Sequence, residues 1–255
     1  MIIALNNEKW SLFRRFFPPQ KRGRPHLWSN RSVLEALLYV LRNGCTWNGL
    51  PSHFPPKSTV YDRFRSWCNQ GIFEQIRNTV LEILIENGMT ISVTYVDATF
   101  VRGCLGGDKI GITKCGKGSK IMAIVNEDSK PLAALVTSAK PHELMLLEQA
   151  LRDLPDTERP KMIVGDRAYD SDSHDACLQE QNIKLIAPHK KNRRKKPTQD
   201  QKEIETHYKK RWCVERFFAW TKYARRLLNR FEKYSFVFQG FLDLYAALVI
   251  IKDIF

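Results

Sequence analysis

The stretch Ile91-Ser-Val-Thr-Tyr-Val-Asp97 decides the predicted fold. Its β-branched and aromatic residues are typical of a buried β-strand, and an acidic residue ends it. The stretch Lys161-Met-Ile-Val-Gly-Asp166 shows the same design later in the chain. The sequence therefore predicts two strands that each bring an aspartate to one edge of a sheet.

The segment between these strands predicts how they are arranged. Residues 120–126 and 131–137 are apolar strands joined by a short turn, and residues 141–151 have the apolar spacing of a helix. A right-handed crossover through this helix would lay the two aspartate-bearing strands side by side. Asp97 and Asp166 would then meet where open α/β sheets bind their ligands.

Residues 208–222 contain neither Gly nor Pro and predict a helix of about four turns. Charged and phenolic side chains share one stripe of it: Tyr208, Arg211, Glu215 and Lys222. Apolar side chains are expected to face the core: Val214, Phe217, Phe218 and Leu228. A surface helix can carry such charge pairs by chance. A carboxylate beside a core needs a partner, however, and a metal ion shared with other carboxylates would supply it.

Three carboxylates, Asp97, Asp166 and Glu215, predict a site for two divalent ions. Oxygen ligands suit Mg²⁺ or Mn²⁺, and no cluster of His and Cys competes for a softer metal. Two such ions would activate the attacking oxygen and neutralise charge during phosphodiester cleavage. His174 and Cys177 would give two zinc ligands, but the sequence lacks a second pair at a suitable spacing.

The composition indicates a nucleic-acid partner. The chain has 255 residues and a net charge of +14, from 41 Lys and Arg against 27 Asp and Glu. A charge of this sign and size favours a polyanion, with an anionic membrane surface as the second choice. The sequence lacks an apolar run near the roughly 18 residues of a membrane span, and its start lacks the features of a signal peptide. We therefore expect an intracellular protein with no membrane partner.

Residues 1–88 predict a small all-helical domain. Three segments have helical apolar spacing: residues 31–43, 59–69 and 73–86. Ser58 is a suitable N-cap for the second of these helices, which carries Arg63 and Arg65. A helix-turn-helix-like DNA-binding module fits this pattern, and so does a plain helical bundle with a solvated basic face.

Two basic segments predict contacts with phosphates. Residues 14–25 form an irregular arm that includes Arg22 and Arg24, and a flexible leader explains this arm nearly as well. A basic loop at residues 188–200 follows a predicted fifth strand at residues 183–187. Its candidate contacts with the DNA backbone are Lys190, Lys191, Arg193 and Arg194. A solvated loop is the alternative for this charge run.

The spacing Tyr208-x2-Arg211-x3-Glu215-x6-Lys222 resembles the YREK motif of DDE transposases. Further motifs that resemble transposases of the insertion-sequence-five type run almost from end to end: Gly23-Arg24-Pro25, Leu50-Pro51, Gly116-Lys117-Gly118, Gly165-Asp166-x-Ala168-Tyr169-Asp170, Ala187-Pro188-His189 and Arg211-Trp212-x-Val214-Glu215-Arg216. The chain as a whole is therefore similar to a transposase of that type.

The resemblance implies an α/β fold with an RNase H-like, mixed five-stranded sheet flanked by helices at residues 89–255, after the helical DNA-binding domain. It implies a catalytic, metal-binding triad for two Mg²⁺ or Mn²⁺ ions: Asp97, Asp166 and Glu215. It also implies side chains that contact DNA near this triad: Tyr208, Arg211 and Lys222. The implied activity is cleavage at the terminal inverted repeats of an insertion sequence, followed by transfer of the freed 3′-hydroxyl to target DNA.

Two element ends must be brought together, so we expect a homodimer in the synaptic complex. The expected location is cytoplasmic and nucleoid-associated in a prokaryote. Two other functions fit the same residues: a catalytically silent DNA-binding protein derived from a transposase, and a repair or restriction nuclease that cuts without joining. Asp170 and Asp172 are candidates for extra metal ligands or for helix-capping acids. Asp108 is expected to be a loop residue.

Overall fold

A mixed β-sheet with helices packed around it forms the framework of the chain. The computed structural model describes residues 5–19, 27–141, 143–154, 159–190, 199 and 201–252. The strands within these residues are β1 (Val93–Gly103), β2 (Gly111–Thr113), β3 (Gly116–Val125), β4 (Pro131–Ser138), β5 (Met162–Val164), β6 (Lys184–Ile186) and β7 (Asn229–Arg230). The helices are α1 (Asn7–Phe13), α2 (Asn30–Asn43), α3 (Lys57–Asn69), α4 (Ile72–Glu86), α5 (Glu143–Arg152), α6 (Asp172–Glu180), α7 (Gln201–Tyr208), α8 (Trp212–Thr221) and α9 (Ser235–Ile251).

The strand order is β2-β3-β1-β5-β6, with β4 beside β3 and β7 beside β1. β1 runs antiparallel to β3 and parallel to β5, so the predicted parallel placement of the two aspartate-bearing strands side by side is confirmed. The five predicted strands are present as β1, β3, β4, β5 and β6. The sequence does not predict β2 and β7, which are short and pair at the end of the β1–β3 ladder that lies beyond Asp97.

The strand β1 continues beyond Asp97 to Gly103, so the prediction that it ends at the aspartate is wrong. Its pairing with β3 persists as far as Arg102 opposite Gly118. Gly118 permits this close approach, because a Cβ atom there would lie 2.2 Å from the carbonyl oxygen of Val101. Asp97 therefore lies within a paired strand, where the hydrogen-bond ladder fixes its backbone.

Three N-terminal helices, α2, α3 and α4, confirm the predicted helical start of the chain. The side chain of Ser29 caps α2. Helix α3 already begins at Lys57, so the predicted cap at Ser58 is wrong. The carbonyl oxygen of Pro56 accepts the N–H of Val60 at 3.1 Å, and this hydrogen bond starts the helix earlier than the prediction.

Helix α9 connects the N-terminal helices with the sheet. It packs on α3, α4 and β4, and nearly all of its residues are buried. The side-chain amide of Gln239 accepts the N–H of Val136 and donates to the carbonyl oxygen of Ala134, both at 2.7 Å, and so covers an edge of β4. The helices and the sheet thus share one hydrophobic core. Among the described residues, we find no helix with the length and apolarity to cross a membrane.

A buried group of charges connects α4, α9 and the end of α5. The Arg77 side chain is fully buried, and its Nη1 lies 2.9 Å from Oδ1 of Asp243 and 2.9 Å from Oδ2 of Asp153. Gln239 donates a further hydrogen bond to Asp243 at 3.0 Å. Burial raises the pKa of Asp243 to about 7, although the charge of Arg77 lowers it. Because unpaired buried charges are costly, Arg77 holds the three elements together.

Arg77→Met should lower the free energy of unfolding by about 3 kcal/mol, because it leaves two carboxylates in the core without their cation. Arg31→Met breaks the half-exposed pair of Arg31 with Glu35 on α2 and should cost less than about 1 kcal/mol. Below pH of about 7 the cost of Arg77→Met should shrink, because the folded state then neutralises Asp243 by taking up a proton. Urea unfolding on both sides of that pH measures these effects, and equal costs for the two variants would contradict them.

Candidate active site

Asp97 lies opposite Ala123 of β3, and its side chain is 22% exposed. Its Oδ1 accepts the backbone N–H of Ala98 at 2.8 Å, and its Oδ2 accepts Nη1 of Arg211 at 2.8 Å. Burial raises the pKa of Asp97 and outweighs these two hydrogen bonds, which lower it, and the charge of Asp166 raises it further. The two aspartates therefore lie close enough for their charges to repel each other.

The sheet brings Asp97 and Asp166 to the same level. The parallel pairing of β1 with β5 ends at Tyr95 opposite Val164. Asp97 stands two residues after Tyr95, and Asp166 stands two residues after Val164. The predicted meeting of the two aspartates at this edge is thus what the register produces.

A short 3-10 turn at Arg167–Tyr169 holds Asp166 in place. The Oδ1 of Asp166 accepts the backbone N–H of Ala168 at 2.8 Å. Before it, the N–H of Gly165 donates to the carbonyl oxygen of Ile186 in β6 at 2.9 Å. A Cβ atom at Gly165 would lie 2.6 Å from the Tyr169 ring, so glycine allows that ring to pack against the backbone. The turn and the neighbouring strand together fix the orientation of Asp166.

The segment 208–222 is not a single helix, so that prediction is wrong. Helix α7 ends at Tyr208, and α8 begins after a turn that ends at Arg211. Backbone hydrogen bonds in this turn span three residues, as from the N–H of Arg211 to the carbonyl oxygen of Tyr208 at 3.0 Å. Two ion pairs with other parts of the chain accompany the break: Lys210 with Glu127, and Arg211 with Asp97. These tertiary pairs compete with a continuous helix.

Arg211 links two of the three predicted carboxylates. Its Nη1 lies 2.8 Å from Oδ2 of Asp97, and its Nη2 contacts Oε1 of Glu215. The guanidinium also lies 5.6 Å from the centroid of the Tyr208 ring. Burial lowers the pKa of Arg211, but the hydrogen bond to Asp97 and the nearby negative charges outweigh burial and raise it. Asp97 and Glu215 therefore share one permanent cation.

The other side chains of this region differ in how far they are exposed to solvent. Val214 and Phe217 are buried, which confirms that α8 packs on the core. The Glu215 side chain is 56% exposed, and Lys222 is exposed at the end of α8. Leu228 lies beyond α8 and is 44% exposed, so its predicted place in the core is wrong.

Two family descriptions match the chain in succession. A putative transposase of the IS4/5 family matches residues 5–77. The transposase DDE domain matches residues 88–250, more than half of the chain. The chain belongs to the DDE transposase family. The match to the transposase DDE domain includes all of the strands and helices that carry the candidate active site.

Curated relatives of this family member include a putative transposase for insertion sequence element IS402 of Burkholderia cepacia. It is 29% identical over 140 residues, which cover 52% of this chain and 62% of that protein. The insertion element IS402 uncharacterized 16.2 kDa protein of the same organism is 29% identical over 118 residues, or 43% of this chain and 80% of that protein. The match thus spans less than two thirds of the IS402 transposase.

A solved structure shares the fold of this DDE transposase family member. The piggyBac transposase, in its synaptic complex with hairpin DNA, aligns with a TM-score of 0.55 at 9% sequence identity. The alignment covers 96% of this chain and 71% of that chain. At this identity the likeness shows the fold alone. Together with the family match, it confirms the predicted RNase H-like α/β architecture with a helical N-terminal region.

The carboxylates of this DDE transposase family member suit a divalent ion by their chemistry. Within the described ranges, no three His, Cys, Asp or Glu side chains are arranged to hold a metal ion. Oxygens of Asp97 and Glu215 nevertheless share one cation, the Arg211 guanidinium, and Asp166 is close enough to affect Asp97. Carboxylate oxygens are the ligands that Mg²⁺ and Mn²⁺ prefer. The donor set therefore fits a hard divalent ion, with Arg211 as the competing cation.

Two of the predicted DNA contacts are arginines of α3 that interact with the protein itself. Arg63 donates to the carbonyl oxygen of Trp28 at 2.9 Å, and burial lowers its pKa. The exposed Arg65 has its guanidinium 5.2 Å from the centroid of the Tyr234 ring. The remaining predicted contacts in the basic segments, apart from Lys190, lie outside the described residues: Arg22, Arg24, Lys191, Arg193 and Arg194.

Two aspartates of this DDE transposase family member have contacts that the sequence does not predict. Ser171, not Asp170, directly precedes α6, so the prediction that Asp170 caps the helix is wrong. Asp170 instead accepts the backbone N–H of Lys190 at 2.8 Å. Asp108 accepts the N–H of Ser235 at 2.7 Å and so fixes the start of α9. Local sequence gives no signal for either contact, because the partners lie 20 and 127 residues away.

Proposed function

We propose that this transposase cuts DNA at the terminal inverted repeats of an insertion sequence and joins the freed 3′-hydroxyl to target DNA. The observation that supports this most is that Asp97 and Glu215 pair with the same guanidinium, that of Arg211, at the β1–β5 edge, where the charge of Asp166 also acts on Asp97. Carboxylates from two neighbouring strands and a helix are the kind of set that binds two divalent ions for phosphodiester chemistry.

In this proposal Asp97, Asp166 and Glu215 hold two Mg²⁺ or Mn²⁺ ions. Bound ions would supply activation of the attacking water or 3′-hydroxyl and neutralisation of the charge that develops on the phosphate. The chain itself orients the ligands: Ala98 and Ala168 each donate a backbone N–H to one carboxylate. The second oxygen of Asp97 accepts Arg211, so an ion bound there would displace the guanidinium from Asp97.

Arg211, Tyr208 and Lys222 are proposed to contact DNA phosphates beside the carboxylates. Arg211 suits this role because its planar fork binds phosphate and carboxylate oxygens in the same geometry. A DNA phosphate would therefore compete with Asp97 and Glu215 for the guanidinium. Exposed Lys222 would add a second positive charge at the far end of α8.

Residues 1–88 are proposed to bind the element ends, with Arg63 and Arg65 as phosphate contacts, and residues 89–255 to catalyse the reaction. The basic loop at residues 188–200 is proposed to grip the DNA backbone. Two element ends must be brought together, so we propose a homodimer in the synaptic complex. The net charge of +14 supports a DNA partner, and DNA of the prokaryotic nucleoid would place the protein in the cytoplasm.

The test of this function is incubation of the protein with Mg²⁺, a labelled duplex that carries the element's terminal repeat, and a target plasmid. The proposal predicts joined products in which the labelled end is covalently attached to the plasmid. Nicked or cut duplex without joined product would indicate a nuclease. Binding without any cutting, in Mg²⁺ or Mn²⁺, would indicate a silent DNA-binding protein.

A further inference from the structure

Asp170 connects two segments at the active-site edge of the sheet. Its side chain is 2% exposed, and its Oδ2 accepts the backbone N–H of Lys190 at 2.8 Å. Its Oδ1 lies 3.4 Å from Nδ1 of His189, a hydrogen bond when that nitrogen carries the proton. The Lys190 ammonium in turn donates to the carbonyl oxygen of Asp170 at 2.9 Å. The segment after β6 is therefore joined to Asp170 by two hydrogen bonds from Lys190, one from its backbone and one from its side chain.

A single turn separates Asp170 from Asp166. The carbonyl oxygen of Asp166 accepts the N–H of Tyr169 at 3.1 Å, and its Oδ1 accepts the N–H of Ala168 at 2.8 Å. Tyr169 is fully buried. A turn with these hydrogen bonds and a buried ring moves as one unit, so the position of Asp170 constrains the carboxylate of Asp166.

Lys190 gives this connection access to DNA. The residue is exposed, and its ammonium can exchange the carbonyl oxygen of Asp170 for a phosphate oxygen, which is a stronger, charged acceptor. The backbone hydrogen bond from Lys190 to the buried Asp170 carboxylate does not depend on that exchange. A phosphate bound by Lys190 would thus remain mechanically linked to the turn that carries Asp166.

We propose that Asp170 is a positioning residue that couples a DNA phosphate at Lys190 to the orientation of Asp166. The inference rests on the proposed function, because it assumes that DNA binds at this edge. Asp170 itself touches neither the DNA nor the reacting atoms. Its carboxylate serves as the clamp between the turn at residues 166–170 and the start of the basic loop.

The test is amide hydrogen exchange in the full chain, with and without a short DNA duplex of arbitrary sequence, since backbone contacts do not need a specific sequence. In the parent protein, DNA should slow exchange at Ala168 by about tenfold, the factor that a hydrogen bond to a charged group is worth. In Asp170→Ala, Ala168 should exchange about tenfold faster without DNA, and DNA should no longer slow it. Unchanged exchange at Ile124, in the core of β3, verifies the fold.

Two further variants sharpen the comparison. Glu180→Ala removes a carboxylate of the same charge from an exposed position on α6 and should behave like the parent. Asp170→Asn keeps the size and one acceptor oxygen, so it replaces Asp170→Ala should the latter fail to fold, and should lose part of the DNA response. In a cleavage assay Asp170→Ala should lower kcat by roughly 10- to 100-fold, as loss of a supporting residue behind a ligand does, with little change in KM.

The inference is overturned when DNA binds the parent without slowing exchange at Ala168, or slows it equally in Asp170→Ala. Absence of DNA binding overturns both the inference and the proposed function. A parent protein in which DNA slows exchange at Ala168, but which neither cuts nor joins DNA, would contradict the proposed function alone. The two failures are therefore distinguishable.

Discussion

Replacing Glu215 with Gln should lower the rate of DNA cleavage by roughly 10³-fold and leave DNA binding intact. The substitution preserves the shape of the side chain but removes one of three carboxylate charges proposed to hold the divalent ions. Charge stabilisation by bound metal contributes several kcal/mol, and each 1.36 kcal/mol is a factor of ten in rate. The measurement is Mg²⁺-dependent cleavage of a terminal-repeat duplex, with affinity measured on the same duplex.

Glu180→Gln is the matched control for this prediction. It makes the same chemical change at an exposed position on α6, so it should cut at the parental rate. Both variants should bind DNA at least as well as the parent, because each removes a negative charge. Cleavage by Glu215→Gln within tenfold of the parent would exclude Glu215 as a metal ligand.

Arg211→Ala should bind Mn²⁺ roughly tenfold more tightly in the absence of DNA and cut DNA roughly 10²-fold more slowly. The gain arises because the ion no longer competes with a guanidinium that pairs with both Asp97 and Glu215. The loss arises because the proposed phosphate contact beside the reacting bond disappears. Titration calorimetry with Mn²⁺ measures the first effect, and the cleavage assay measures the second.

Two variants separate this role of Arg211 from a general effect of charge. Lys210→Ala removes the neighbouring positive charge from an exposed pair with Glu127 and should leave Mn²⁺ affinity unchanged. Arg211→Lys keeps the charge but loses the fork, so it should fall between the parent and the alanine variant. A Mn²⁺ affinity in Arg211→Ala equal to the parent's would show that the guanidinium does not compete for the carboxylates.

The central strands of the fold can be predicted from the sequence, because strands that are buried on both faces consist of continuous runs of apolar residues. β1 and β5 each show such a run, and the rule of right-handed crossovers then places them side by side. The length of β1 cannot be predicted, because it depends on a close approach of Gly118 in β3 to Val101 in β1. The short strands β2 and β7 exist through their partners and carry no periodic pattern of their own.

Some residues of the candidate site can also be predicted from the sequence, and others cannot. Asp97 and Asp166 could be found because each directly follows a run of apolar strand residues. The break before α8 could not, since good helix formers occupy it and the ion pairs of Lys210 and Arg211 reach residues far away in sequence. The contact of Asp170 with Lys190 is equally non-local. Tertiary pairing thus decides the features that local propensity leaves open.

The central claim is that Asp97, Asp166 and Glu215 together hold the proposed pair of divalent ions. With hydrogen peroxide and ascorbate added, Fe²⁺ bound in place of Mg²⁺ reduces the peroxide to hydroxyl radicals, and ascorbate regenerates the Fe²⁺. The radicals cut the polypeptide beside the metal, and the cut positions can be read by mass spectrometry. The account predicts cuts near residues 97, 166 and 215 that excess Mg²⁺ suppresses together. Cuts near one of these residues alone, or cuts elsewhere in the chain, would contradict it.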